Sequence, residues 1–155
     1  IHRGYDLACF ERAVSGLRNR EMDVIVHTIL GLPGEGRKEV LQTIDYLNHM
    51  DIQGIKLQLL HILKGTQLGQ IYLEQKEGQE FISPMTMEAY IDLVIDCVEH
   101  LSPEITIHRL TGDGPKELLL APMWSTRKRT VLNEIHKELK KRDAWQGKRY
   151  ERSTL

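Results

Sequence analysis

Three histidines sit in, or at the end of, segments rich in β-branched residues and leucine: His27 in DVIVHTIL, His61 in IQGIKLQLLHIL and His108 in EITIHRL. Imidazole titrates near neutrality and can donate, accept or ligate, so three of them at strand ends could hold a substrate, move a proton or bind a metal. No H-x-x-x-H or H-x-H pair occurs, so a metal site would need separate strands to bring its ligands together. ILKGT follows His61 and RLTGDGP starts at Arg109, which puts Lys64, Arg109, Thr111 and Asp113 nearby as polar candidates at one rim. Each also has a plain structural use. The histidines can be interior and hydrogen-bonded, and Asp113, between two glycines, can accept backbone donors in a turn.

HTILGLPGEGRKE, residues 27–39, joins a strand to a helix through three glycines and one proline. Loops leaving the carboxyl ends of parallel strands collect ligands, because their backbone groups are free and helix N-termini point at them. Gly31 and Gly34 remove side chains where backbone must approach closely, and Pro33 stiffens the bend. Gly31 and Gly36 have the spacing of a phosphate loop's outer glycines, but Arg37 stands in the lysine position and Glu35 would repel phosphate. Two readings stay open: a tight structural turn, or a wall against a planar or adenosyl ligand. In the second, strand parity puts His27, Ile29 and Gly31 on one face, where Ile29 covers a flat heterocycle and Gly31 lets it approach. No cysteine–histidine pair, serine elbow or close carboxylate pair nominates a self-contained hydrolase.

The elements that must position these residues follow from periodicity. YDLACFERAVSGLRNRE predicts a helix with Leu7, Phe10, Val14 and Leu17 on one stripe and Asp6 as its cap. DVIVHTIL predicts a strand apolar on both faces, and KEVLQTIDYLNHM a helix packed through Val40, Leu41, Ile44 and Leu47. IQGIKLQLLHIL reads as one strand. Ile55, Leu57, Leu59 and His61 share one parity, while Lys56, Gln58, Leu60 and Ile62 share the other, and Lys56 and Gln58 imply that their side faces something wetter than a helix layer. KGTQLGQIYLEQ predicts a loop and short helix, KEGQEFISP a surface excursion, and TMEAYIDLVIDCVEHLSP a helix capped by Thr86 and ended by Pro103. A short strand EITIHRL, a turn TGDGP, a brief helix PKELLLAP and a closing helix TRKRTVLNEIHKELKKRD follow, then a docked Trp145 and a loose terminus.

This order predicts an α/β fold with right-handed crossovers between parallel strands. Three parallel strands make a thin sheet, and the chain opens on a helix with no strand before it, which fits a partial (β/α) barrel followed by C-terminal helices. Residues 1–126 are expected to form the barrel portion, and 127–155 a helix and basic tail packed on the same domain. A chain of 155 residues that is 41% hydrophobic has room for one core. Formal net charge is −1, yet Arg127–Arg152 holds ten basic and four acidic residues. A solvated helix face explains this; Arg127, Lys128, Arg129, Lys140, Lys141 and Arg142 as an RNA contact surface is the alternative. Cys9 and Cys97 fall on apolar helical patterns and read as buried thiols, not a bridge. There is no run of 18 apolar residues, so no membrane partner is expected and the default location is the cytoplasm. An exposed strand edge would be left open, hidden beneath the first helix, or covered by a second copy in a homodimer.

HTILGLPGE, GIKLQLLHILKGTQL and TIHRLTGDGP, in that order, with the opening IHRGYD and the late WQGK, resemble the carboxyl-terminal half of the radical S-adenosylmethionine (SAM) enzyme core, in the bacterial Fe-S oxidoreductase branch related to the Elp3-like radical enzymes. The resemblance covers nearly all of the chain. It implies a barrel of six β/α units whose first loop carries C-x-x-x-C-x-x-C, three thiolates that hold a [4Fe-4S] cluster on which SAM is chelated and reductively cleaved to a 5′-deoxyadenosyl radical. That motif is not in this sequence, whose two cysteines are separated by 87 intervening residues. The resemblance assigns cofactor contacts to Ile29, Gly31, Leu32, Pro33 and Gly34 after the fifth strand, and to Leu60, His61, Ile62 and Leu63 around the sixth. It assigns substrate contacts to His27, His108, Arg109, Thr111 and Asp113, and the residue reading adds Gln58 on the wetter side of its strand and Lys64 at the rim. It further implies that the amino-terminal half of the barrel is a partner, that these residues alone bind no cofactor and are not catalytically competent, and that RNA such as tRNA is a candidate substrate class. A non-catalytic structural fragment and a phosphate-binding barrel enzyme outside the radical class are the competing readings.

Overall fold

The computed structural model of the chain describes residues 4–76, 78, 81–112 and 114–151. Helix α1 (Leu7–Arg18) begins where the sequence places its cap, with Asp6 Oδ1 accepting from Cys9 N at 2.7 Å. Strand β1 (Ile25–Leu30) leads through the glycine corner into α2 (Arg37–Asn48), where Glu39 Oε2 accepts from Gly36 N at 2.9 Å. Strands β2 (Gly54–Leu59) and β3 (Ile62–Leu63) come next, followed by α3 (Gln67–Glu74) and α4 (Met87–His100), the latter capped by Thr86 Oγ1 accepting from Ala89 N at 3.1 Å. Strands β4 (Thr106–Arg109) and β5 (Leu119–Ala121), a 3-10 turn and α5 (Lys128–Lys141) complete the order.

β1, β2 and β4 form a parallel sheet in that order, with His27 in register with Lys56, Ile29 with Gln58, and Lys56 with Arg109. The two faces differ in kind. Leu30, Ile55, Leu57 and Leu59 are buried against the helices, and α4 contributes Tyr90, Ile91, Val94, Ile95, Cys97 and Val98 to the same core. The opposite parity carries Ile25, His27, Ile29, Gly54, Lys56, Gln58, Thr106 and His108, and both isoleucines are more than a third exposed. β1 has β2 as its only strand neighbour among the described residues and runs six residues without a break. β4 is four residues long, and its register shifts between Ile55 and Lys56 of β2.

Three expectations need correcting. The strand expected over 52–63 ends at Leu59. Leu60 N donates to Leu30 O at 2.9 Å, and the chain then turns out of the sheet to start β3. The helix expected over 115–122 is instead a turn, Leu118 N to Pro115 O at 3.0 Å, followed by β5, which pairs antiparallel with β3. Pairing with β3, a strand distant in sequence, overrides the helix propensity of Lys116, Glu117 and the leucines. Trp145, expected to dock, is 54% exposed, with Lys148 Nζ 4.8 Å from its ring centroid. Its neighbours do the docking. Gln146 Nε2 donates to Ser102 O and Ile105 O at 2.7 Å each, and Arg149 pairs with the buried Glu99 at 2.9 Å. Residues 152–155 of the expected loose end lie outside the described residues. Among those described, no helix is long and apolar enough to cross a membrane.

The core makes a prediction about alkaline pH. Burial pushes the Cys97 thiol up to about 12 from its ordinary 9.0, with Asp96 adding a smaller push, and burial likewise raises the Tyr90 phenol, whose hydroxyl donates to Leu110 O at 3.0 Å. Because both folded values lie above the unfolded ones, the unfolded chain loses these protons first as pH rises. Stability is therefore unaffected by this pair below the ordinary thiol pKa of 9.0 and falls as pH rises from there toward about 12, which urea melts across that window measure. Iodoacetamide should label half-buried Cys9 in the folded chain and Cys97 only in denaturant.

Candidate functional site

Because β1, β2 and β4 are parallel, their carboxyl ends and the loops leaving them share one rim. At that rim lies a cavity of about 280 Å³ lined by the whole corner from Gly31 to Arg37, by Leu59, Leu60 and Ile62 of the β2 exit, and by Phe81–Met85. Gly31 has φ +87° and Gly34 φ +80°, so both occupy the left-handed region that only glycine enters without cost. A Cβ on Gly31 would come within 3.0 Å of Met85 Sδ, whereas one on Gly34 would meet nothing within 4 Å. Gly31 thus serves close approach as well as backbone shape.

Met85 is held from behind, since Trp124 Nε1 donates to its carbonyl at 2.8 Å and the Trp124 ring lies 5.5 Å from Tyr90. Gln75 fixes the same segment by donating to Ile82 O at 2.8 Å and accepting from Ile82 N at 3.0 Å. The surface excursion expected here therefore folds back, burying Ile82 and making Phe81–Met85 a wall of the cavity. Arg37, at the first turn of α2, forks onto Asp96 through Nη2 to Oδ1 at 2.8 Å and Nε to Oδ2 at 2.5 Å, which ties the corner to α4.

Of the nine residues expected against a cofactor, Gly31, Leu32, Pro33, Gly34, Leu60 and Ile62 line this cavity. Ile29 lies one strand position back on the uncovered sheet face and lines a groove shared with α1 and α2. His61 packs on the loop after β4, its ring 2.5 Å from where a Gly112 Cβ would stand. Leu63 sits in β3, its carbonyl accepting from Thr66 Oγ1 at 2.8 Å. Of the residues expected against substrate, His27, Gln58 and His108 share the uncovered sheet face, the His108 ring lying over Gly54. Arg109 is in register with Lys56 of that face. Thr111 is buried, and with His108 and Arg109 it lines a groove of about 470 Å³ against α5. Lys64 is exposed, its backbone N donating to Leu118 O at 2.7 Å. Asp113 lies outside the described residues.

Two groups were not among the expected site residues. Met85 and its neighbours carry no periodic signal, though ISPM after a polar run is an apolar return to the body. Lys56 was legible from parity alone, since it alternates with Ile55 and Leu57 on the middle strand. Among the described residues no three of His, Cys, Asp and Glu are placed to hold a metal ion. On α5, Lys137 pairs with Glu134, Lys141 with Glu138, and Arg142 with both Glu138 and Asp92, so part of the basic run is already committed to carboxylates.

A small parallel sheet with helices on one face, glycine-rich exits at one rim and further helices at its carboxyl end is a partial core of the radical-SAM type. The chain matches the Radical_SAM C-terminal domain over residues 52–141, and it belongs to that family. It is 43% identical over 152 residues to the Bacillus subtilis protein YtqA, covering 98% of this chain and 46% of that protein. It is 34% identical over 151 residues to MJ0486 of Methanocaldococcus jannaschii, covering 97% and 45%. YhcC of Escherichia coli is 34% identical over 139 residues, covering 90% and 43%. The chain thus spans about half the length of the curated relatives it matches. Its fold is also similar to that of an archaeal Methanocaldococcus infernus Elp3 with an N-terminal deletion (1–46), with a TM-score of 0.75 over 94% of this chain and 33% of that one; at 14% identity this is a likeness of fold alone.

Proposed function

We propose that this chain is the later half of the catalytic barrel of a radical SAM enzyme, and that the cavity under the GLPG corner takes the adenosyl part of SAM. The observation that carries this reading is the meeting of the β1 and β2 exits in one cavity at the carboxyl rim, with Gly31 lacking a side chain where Met85 closes the wall. The lining fits an adenine. Leu32, Leu60, Ile62 and Met85 offer apolar contact, and the exposed backbone of the corner offers hydrogen bonds to ring nitrogens.

The lining does not fit an iron–sulfur cluster. Cys97 is fully buried in α4, Cys9 lies on α1, and a cluster needs three or four thiolates brought together. In this reading the cluster-binding cysteines stand outside residues 1–155, and no step is assigned to Cys9 or Cys97. When bound, SAM and a reduced cluster supply a 5′-deoxyadenosyl radical that takes hydrogen from substrate. The residues of this chain position the nucleoside at the rim and present the uncovered sheet face to the substrate.

The test uses the cluster-bearing protein, reconstituted anaerobically with iron and sulfide and reduced. Formation of 5′-deoxyadenosine is expected. Gly31→Leu should weaken SAM binding by at least about tenfold, roughly 1.4 kcal/mol, because the new side chain meets Met85. A reduced, cluster-loaded protein that leaves SAM intact, or that binds it equally well with leucine at position 31, would sink the reading.

A further inference from the structure

The uncovered face of the sheet is cationic at its centre. Lys56 lies on the middle strand, half-buried, with His27 in register on β1. The ring of His108 rests over Gly54, one step back on the same face of β2. No Asp or Glu occurs in β1, β2 or β4, although the whole chain carries more acidic than basic residues. No side-chain hydrogen bond or ion pair joins His27, Lys56, Gln58 or His108 to another described residue.

A lysine half removed from water without a carboxylate is an expense that a fold ordinarily avoids by pairing it or turning it outward. Lys56 can do neither easily. It projects from the central strand between two neighbours, and its strand-mates on the other parity, Ile55 and Leu57, are locked in the core. Flanking imidazoles and the Gln58 amide add donors around the ammonium, and together these groups match a small anion with several acceptor oxygens.

We propose that Lys56, flanked by His27 and His108, binds a phosphate monoester group of the substrate. A monoester dianion supplies two charges and three terminal oxygens to one ammonium, two imidazoles and an amide. This rests on the reading above only in taking the uncovered face as the substrate side.

Inorganic phosphate is the probe, titrated into the isotopically labelled chain while the ring signals of His27 and His108 and the side-chain amide of Gln58 are followed. Saturable shifts confined to this face are expected. Lys56→Met should weaken the apparent affinity by at least about tenfold, Lys56→Arg should retain it, and Lys38→Met on α2 should change nothing. Absence of saturable shifts in the unsubstituted chain, or equal affinity in Lys56→Met, overturns the proposal. Acetate that binds in a Lys56-dependent way where phosphate does not would reassign the site to a carboxylate. A short oligonucleotide without terminal phosphate that binds more tightly than phosphate, again through Lys56, would reassign it to a nucleic-acid backbone. SAM plays no part in the titration. A phosphate site that persists in a protein unable to cleave SAM would refute the proposed function alone, and SAM cleavage without a phosphate response would refute this inference alone.

Discussion

Leu57→Ala lowers the unfolding free energy by about 4 kcal/mol, as expected for truncating a leucine that is fully buried in a well-packed core. His27→Ala, on the neighbouring strand, changes it by less than about 0.5 kcal/mol, because that side chain is exposed and makes no hydrogen bond to a described residue. Urea melts of both variants measure the difference directly. The contrast follows from the two-faced sheet. Leu57 packs in the core with Tyr90 and the rest of α4, whereas His27 is exposed and lines an open groove beside α1 and α2. If the two substitutions cost the same, the outer face would be packed in solution, and both the substrate side and the Lys56 site would lose their basis.

Gly69→Ala is the second large effect, at about 3 kcal/mol, the upper end of what overpacking usually costs. A Cβ at this position would stand 2.1 Å from the backbone carbonyl oxygen of Leu63 and 3.2 Å from Thr66 Oγ1. Neither can yield cheaply. Leu63 is held in β3 by its pairing with Leu119, and Thr66 Oγ1 both donates to Leu63 O and accepts from Gly69 N at 3.0 Å to cap α3. Gly34→Ala is the matched control. It incurs the left-handed backbone penalty of about 1 kcal/mol but has open space around it. Thermal or urea unfolding of the two variants separates steric exclusion from conformational strain, and equal losses would mean that α3 slides freely on β3.

What could be read along the chain was whatever repeats or caps locally. Asp6 and Thr86 cap the helices they were expected to cap, and alternation along β2 separates the apolar core side from Lys56 and Gln58. The parallel order of the three main strands follows from the intervening helices. β3 and β5 escaped because two- and three-residue strands hold no period, and each depends on a partner far away in sequence. LLL after a proline suits a helix as well as a strand until that partner is known. Trp145 looked like an anchor by its size, yet the contacts come from Gln146, Gly147 and Arg149, whose backbone and polar groups satisfy the end of α4. At the candidate site, the corner glycines were legible from type and spacing. The wall opposite them was not, because Met85 reaches Gly31 only after the chain has passed through β2, β3 and α3.

The two borders of the main sheet are built unlike each other. β4 is short and its register slips, features that discourage another strand from joining, whereas β1 offers six regular residues with donors and acceptors aligned. In the proposed barrel, the strand that lengthens the sheet is therefore expected alongside Ile25–Leu30, and a peptide copying that strand should compete with assembly at that border.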